Sequence, residues 1–301
     1  MSASHRERPS ATSHPAFARF MPFVFVFLWS TGFIGAKFGL PYADPFVFLF
    51  IRFVLVLILM VPVVLLMKAK WPTSVREAVH IGTAGALVHG VYLGCVFWAI
   101  DTGLPAGLAA LIVGLQPVVT ASVVGAVLGE RVTIRQWGGL VLGLLGVALV
   151  LLPKIGDGVG ITPFGIGLAV VALFGMTAGT LYQKRFCTGM NLLSGTVIQY
   201  VFASILVGVI AFFKEPFTVE WSIDFILAMA WLVLVLSIGA IMLLMVLIKQ
   251  GEATRVASMF YLVPPCAAFL AWMLFDEHLG VLGFAGFGVA AVGVALVMLK
   301  R

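Results

Sequence analysis

Charge is scarce in this chain. Only 10% of its 301 residues are Asp, Glu, Lys or Arg, while 62% are hydrophobic and the mean hydropathy is +1.17. Soluble domains carry about a quarter charged residues, so a water-soluble globular protein of ordinary composition is excluded. Cysteine is nearly missing as well. Cys95, Cys187 and Cys266 form no CxxC pair and have no clustered histidines beside them, which argues against a disulfide framework and a metal site. There is no HExxH, no GxSxG, no pair of aspartates within an apolar run and no Gly-rich phosphate loop after a strand. An intramembrane enzyme is therefore the weaker reading, and no cofactor is called for. Residues 1–19 are polar and basic, without the apolar core of a cleaved signal peptide. They read as a disordered cytoplasmic tail.

What is present in quantity is long apolar runs. A membrane helix needs about 20 predominantly apolar residues, and runs broken by Pro, Gly and charge predict ten spans. These cover 20–40, 45–67, 75–100, 105–128 and 134–152, then 162–186, 191–213, 222–248, 254–275 and 280–299. The net charge of +6 would suggest nucleic acid if it were clustered. It lies between the apolar runs instead. With the N-terminus inside, fourteen of the eighteen Lys and Arg residues fall on the cytoplasmic side, Lys37, Lys154 and Lys214 fall outside, and Arg52 lies within the second span. Cytoplasmic loops carry such an excess, so both termini are expected to be cytoplasmic and the chain to be a multi-pass membrane protein.

The chain also repeats itself. Shifting by 147 residues lays Pro117 on Pro264, Glu130 on Glu277 and the GVALV run at 146–150 on that at 293–297. The same shift lays IRFVLVLIL at 51–59 on IQYVFASIL at 198–206, Lys37 on Lys184 and Gly32 on Gly179. Each half then holds five spans, residues 20–153 and 162–301. Five is odd, so the second half is inverted relative to the first, as in alternating-access transporters. Gly139 and Gly143 in the fifth span, and Gly286 and Ala290 in the tenth, form small-xxx-small faces suited to close helix packing.

Five spans plus five, with a Pro inside the fourth and ninth and a Glu closing each (QPVVTASVVGAVLGE and VPPCAAFLAWMLFDE), followed by Gly-rich helices ending in GVALV, resemble the drug/metabolite transporter superfamily and its EamA-type exporters. The WSTGFIGAKFGLPYADP run and the dispersed aromatics are similar to the aromatic amino-acid exporter branch. The resemblance implies an all-α basket of two inverted five-helix repeats around a central cavity, lined mainly by helices one, three, four, six, eight and nine. Helices five and ten would be peripheral supports. It implies export of neutral or aromatic amino acids or similar small metabolites; a multidrug or small-solute exporter of the same fold is the alternative.

Polar groups at membrane depth are expensive and are candidates for function. The candidates for substrate contact are Trp29, Ser30 and Gly32 in helix one, and His89, Tyr92 and Trp98 in helix three. Gln116 and Thr120 in helix four, Thr177, Thr180 and Tyr182 in helix six, and Ser258 and Tyr261 in helix nine complete the set. Pro117, Pro264, Pro265 and Gly179 are candidate hinges, since a Pro in a span frees a carbonyl one turn earlier. His89 alone among them could titrate and couple protons, so a facilitator and a proton-coupled exchanger both remain open. Lys37 and Lys184 read as snorkelling anchors, and Trp71, Trp137 and Trp221 as interfacial ones. Arg52 reads as structural, paired with backbone or Asp44. Glu130 and Glu277 oppose the dipoles of the helices they close, so each is expected to have a partner, an Arg or a free N–H across the repeat interface. Expected partners are a small-molecule substrate and membrane lipids, with no nucleic acid.

Overall fold

The computed structural model describes residues 15–116, 118–120, 123, 133–151, 161–240, 243, 262–277 and 280–298. Pro117, Glu130, Ser258 and Tyr261 lie outside them. The named elements among the described residues are all helical: α1 (Pro15–Gly39), α2 (Pro45–Leu66), α3 (Val75–Asp101), α4 (Ala106–Val113), α5 (Ile134–Leu151), α6 (Pro163–Phe186), α7 (Leu192–Lys214), α8 (Ile223–Ala240), α9 (Val263–Phe275) and α10 (Val281–Met298). Six of them, α1, α2, α3, α6, α7 and α8, are long and apolar enough to cross a bilayer; α4, α5, α9 and α10 are apolar but shorter over their described residues. Helix α1 opens at Pro15, within the stretch read as tail, where a proline's fixed φ and missing N–H suit a first turn.

Helix starts follow local chemistry. Ser74 accepts from the Glu77 N–H at 3.2 Å, Thr162 from that of Gly165 at 3.0 Å, Asn191 from that of Leu193 at 3.0 Å and Ser222 from that of Phe225 at 3.2 Å. Helices α2 and α4 have no such cap of their own. The carboxylate of Glu215, just past α7, accepts from the N–H groups of Phe46 and Val47, the latter at 2.8 Å. Glu277, just past α9, accepts from the N–H groups of Ala106 at 3.2 Å and Gly107 at 3.5 Å and pairs with Lys37. A left-handed residue at Asp276 (φ 55°) ends α9 and turns the chain back, which brings Glu277 to α4. The expectation that Glu277 has a partner across the repeat interface is met, by N–H groups and a Lys.

The large apolar side chains divide between two environments. Phe25, Phe48, Phe53, Phe97 and Phe225 are fully buried between helices, while Leu66, Phe213, Ile223 and Val281 stand more than 70% exposed. Exposed bulk on this scale suits lipid contact rather than water. Between helices in lipid, close van der Waals packing replaces the hydrophobic drive, and the tightest seam joins α5 to α10. A Cβ added at Gly146 would stand 2.5 Å from the Ala290 nitrogen and 2.6 Å from the Gly286 oxygen; one at Gly293 would stand 2.6 Å from the Gly143 nitrogen and 2.7 Å from the Gly139 oxygen. The shift of 147 exchanges these two sets of contacts, so the seam is self-complementary as across a two-fold axis. The same exchange holds for the other extensive pairs: α2 with α7, α4 with α9, α1 with α9 against α6 with α4, and α1 with α8 against α6 with α3.

Charge divides between the two ends of the bundle. Lys68, Lys70, Arg76, Lys184 and Arg185 share one end with the single described acid Glu77, around the Ser194 hydroxyl bond to the Lys70 carbonyl and the His80 contact with Tyr182. At the other end lie Asp44, Asp101, Glu215, Glu220, Asp224, Asp276 and Glu277 with Lys37 and Lys214. Burial pushes the Glu215 carboxyl above the usual carboxylate range, the N–H groups of Val47 and Phe46 pull it down, and Asp44 and Asp101 add to the rise.

Two predictions arise from this packing. Gly286→Leu forces apart backbones that touch and should cost about 1–3 kcal/mol, whereas Gly288→Ala, with nothing within 4 Å of its added Cβ, should be neutral or stabilising. Thermal unfolding in detergent checks this; equal losses in both variants would refute the seam. A carboxyl raised in the folded state contributes stability that is present at low pH and lost as pH rises through its folded value. Glu215→Gln keeps an acceptor for both N–H groups without the charge. Its melting temperature should therefore gain on wild type as pH rises above the ordinary carboxylate range and through the raised Glu215 value, and a widening advantage for wild type would show that the N–H donors outweigh burial.

Candidate functional site

A cavity of about 90 Å³ lies between α1, α2, α3, α7 and α8. That is smaller than the roughly 300–1,000 Å³ of occupied small-molecule pockets, so the helices around it must part to admit a cargo. Trp29, Gly32 and Phe33 come from α1, Arg52 from α2, His89, Tyr92 and Phe97 from α3, Tyr200 from α7 and Leu236 and Ser237 from α8. The lining departs from the helix set that the family resemblance implies. Helices α2 and α7 contribute, and none of the described lining comes from α4, α6 or α9. Close packing explains α6: a Cβ at Gly179 would meet Val88 of α3 at 2.5 Å, which leaves no space between the two helices.

Local backbone shapes the lining. Helix α3 widens to π geometry over Ala86–Val91 and α8 over Trp231–Ala240. Residues 86–91 shifted by 147 fall at 233–238, so the two halves widen at matching places. Such π segments occur frequently at functional sites. Here the first presents His89 and the second Leu236 and Ser237 to the same space. The His89 ring stacks on Tyr200 with centroids 4.6 Å apart, and Tyr200 lies against Phe53 at 5.3 Å.

Arg52 is 3% exposed, and its Nη2 donates to the Ser237 hydroxyl at 3.1 Å. Its Nε is buried without a hydrogen-bond partner. The expected pairing with Asp44 is not made, because eight residues of helix separate them by about 12 Å along the axis. Among the described lining residues there is no Asp or Glu.

Of the sequence candidates, Trp29, Gly32, His89 and Tyr92 come together in this cavity. Gln116, Thr120 and Thr180 meet elsewhere, at the α4 and α6 interface, where the Gln116 amide donates to Thr180 at 3.1 Å and Thr120 at 3.4 Å. Ser30 points away, donating to the carbonyls of Val26 at 2.8 Å and Val263 at 3.3 Å. Thr177 donates to the Leu173 carbonyl one turn back and is buried in packing. Trp98 is at the acidic end, between Phe46, Phe164 and the Lys214 ammonium 4.1 Å above its ring. Tyr182 is at the basic end, its hydroxyl 2.8 Å from His80 Nδ1. Pro264 and Pro265 occupy the first turn of described α9, with Pro264 Cγ 2.5 Å from where a Cβ on Gly114 would stand. Arg52, Phe33, Phe97, Tyr200 and Ser237 were not among the substrate candidates. The signal for Arg52 was available, a cation in an apolar run with no acid one turn away; Tyr200 and Ser237 carry no such mark.

No group of three or more His, Cys, Asp or Glu side chains among the described residues is placed to hold a metal ion.

Comparison with known proteins agrees with this architecture. The EamA-like transporter family model matches twice, over residues 17–152 and 163–299. The chain is 27% identical over 281 residues to an uncharacterized transporter of Bacillus subtilis, covering 91% of this chain and 89% of that one. It is 28% identical over 273 residues to a protein of Escherichia coli described as a probable amino-acid metabolite efflux pump (87% and 88% covered), and 25% identical over 279 residues to an uncharacterized inner membrane transporter of the same species (93% and 90%). A crystal structure superposes with a TM-score of 0.63 at 16% identity over 94% of this chain and 98% of its own, a likeness of fold alone. Two matched halves, helices that suit a bilayer and a cavity between them together place this chain in the EamA-like transporter family, as a membrane transporter.

Proposed function

We propose that this transporter works by alternating access, with ten crossing helices arranged as two inverted five-helix repeats over residues 20–153 and 162–301. Both termini are cytoplasmic in a bacterial inner membrane, and the cargo is a neutral amino acid, aromatic ones included, or a similar small metabolite. The observation that carries the reading is the cavity between the halves, with its Trp29, His89, Tyr92 and Tyr200 rings. Supporting the inversion is the seam of α5 and α10, whose contacts exchange under the repeat. Supporting the orientation is the gathering of Lys68, Lys70, Arg76, Lys184 and Arg185 at one end, against Lys37 and Lys214 at the other, in line with the positive-inside rule. The relative described as an amino-acid metabolite efflux pump supports the cargo class.

Movement between states uses the seams lined by small residues. Gly32 stands against Leu236 and Gly179 against Val88, equivalent glycines each facing a π segment of the other half. Facilitated exchange is favoured over proton coupling through His89, because Arg52 already places a positive charge in the same cavity and like charges repel there.

Purified protein in proteoliposomes should take up labelled L-phenylalanine, and no protein-dependent uptake across a broad amino-acid panel would overturn the reading. Gly179→Leu should lower uptake per folded molecule by about tenfold or more, since a single misfit at a moving seam is felt throughout the cycle. His89→Gln should leave exchange intact; loss of a pH-gradient stimulation in that variant would instead assign His89 to coupling.

A further inference from the structure

We propose that Arg52 is the seat of a substrate carboxylate, and that the cavity selects an apolar or aromatic carboxylate without recognising an amine. The inference rests on the transport reading of this cavity and narrows its cargo. Three observations carry it. The guanidinium is all but fully buried and lines the cavity, with one nitrogen on Ser237 and its Nε unmatched. An unpaired charge at this depth is costly unless something compensates it, and the described lining supplies no acid. Arg presents parallel donors that fit the two oxygens of a carboxylate. Nε, unmatched beside the Nη2 that bonds Ser237, supplies one side of that fork here.

The rest of the cavity shows what the carboxylate is attached to. Phe33, Leu93, Val96, Phe97 and Leu236 make most of its wall apolar. An amine would find neutral acceptors on His89, Tyr92, Tyr200 and Ser237 and the ring face of Trp29, with no opposing carboxylate among the described residues. Loss of the carboxylate should therefore be severe, while loss of the amine should be tolerated.

The test is competition against labelled L-phenylalanine in proteoliposomes by three compounds of one skeleton: L-phenylalanine, L-phenylalaninamide and 3-phenylpropionate. In the wild type the amide should compete about tenfold less well or worse, the scale of a charge-assisted bond to a buried cation, and 3-phenylpropionate should compete as well as phenylalanine. Arg52→Gln should bring the amide and the acid level, and Arg52→Lys should fall between. If Arg52→Gln does not fold, the wild-type ranking alone decides. An amide that competes equally with the acid, a phenylpropionate that does not compete, or an Arg52→Gln protein that keeps the full preference overturns the assignment while leaving transport standing. Uptake of no labelled compound overturns both together.

Discussion

A helix that begins at a membrane surface exposes N–H groups, and the bilayer offers nothing to satisfy them. In this protein two of those starts, α2 and α4, are completed by the opposite half of the chain. Glu215 closes α2 and Glu277 closes α4, each reaching from just past the last turn of a second-half helix. The bonds tie the halves together at the acidic end. Glu277 also engages Lys37 of α1, so α1, α4 and α9 meet at one carboxylate. At the basic end the described bonds between halves are of another kind, the Ser194 hydroxyl on the Lys70 carbonyl and the Tyr182 hydroxyl with His80 Nδ1. The two ends are thus held by different chemistry, a condition for opening one while the other stays shut.

Between those ends the structure sets tight seams around a cavity. Along α5 and α10 the backbones touch, which fixes a frame that does not depend on side-chain fit. Around α1, α3, α6 and α8 the contacts are those of a glycine on a larger side chain, Gly32 on Leu236 and Gly179 on Val88. A glycine against a side chain can slide where backbone against backbone cannot. The widened π turns beside these glycines turn His89 and Ser237 toward the space that the sliding helices enclose.

Much of this was legible in the sequence, for reasons that are local or periodic. Apolar run length predicted where helices lie because the bilayer sets their length, and the small-xxx-small pattern at Gly139, Gly143, Gly286 and Ala290 predicted the seam because close approach needs missing side chains. The Glu277 partner followed from helix electrostatics. Depth in the membrane was a poorer guide to the cavity. Ser30 and Thr177 are deep enough, but their hydroxyls return to carbonyls of their own helices, and the direction a residue faces depends on the rotation of its helix against neighbours. Trp98 and Tyr182 have the right chemistry at the wrong height, near opposite ends. Nearness in sequence offers Asp44, or else backbone, as the partner of Arg52. Helical rise separates them, and the guanidinium turns instead to α8.

The repeat itself separates scaffold from chemistry. The elements it duplicates are structural: Gly139 with Gly286, Gly32 with Gly179, Lys37 with Lys184, GVALV with GVALV. The polar and aromatic residues of the cavity are not duplicated. Under the shift of 147, Arg52 falls on Gln199, His89 on Leu236, Tyr92 on Gly239, Trp29 on Met176, Phe53 on Tyr200 and Gly90 on Ser237. Under the proposed alternating access, a two-fold scaffold serves a motion that exchanges its halves, and symmetry is kept where helices would slide. An amino acid or carboxylate has no two-fold axis, so a site built symmetrically would offer two half-fitting poses in place of one. With its charge on one side only, Arg52 facing apolar walls, the proposed carboxylate seat sets a single orientation for such a cargo inside a two-fold frame.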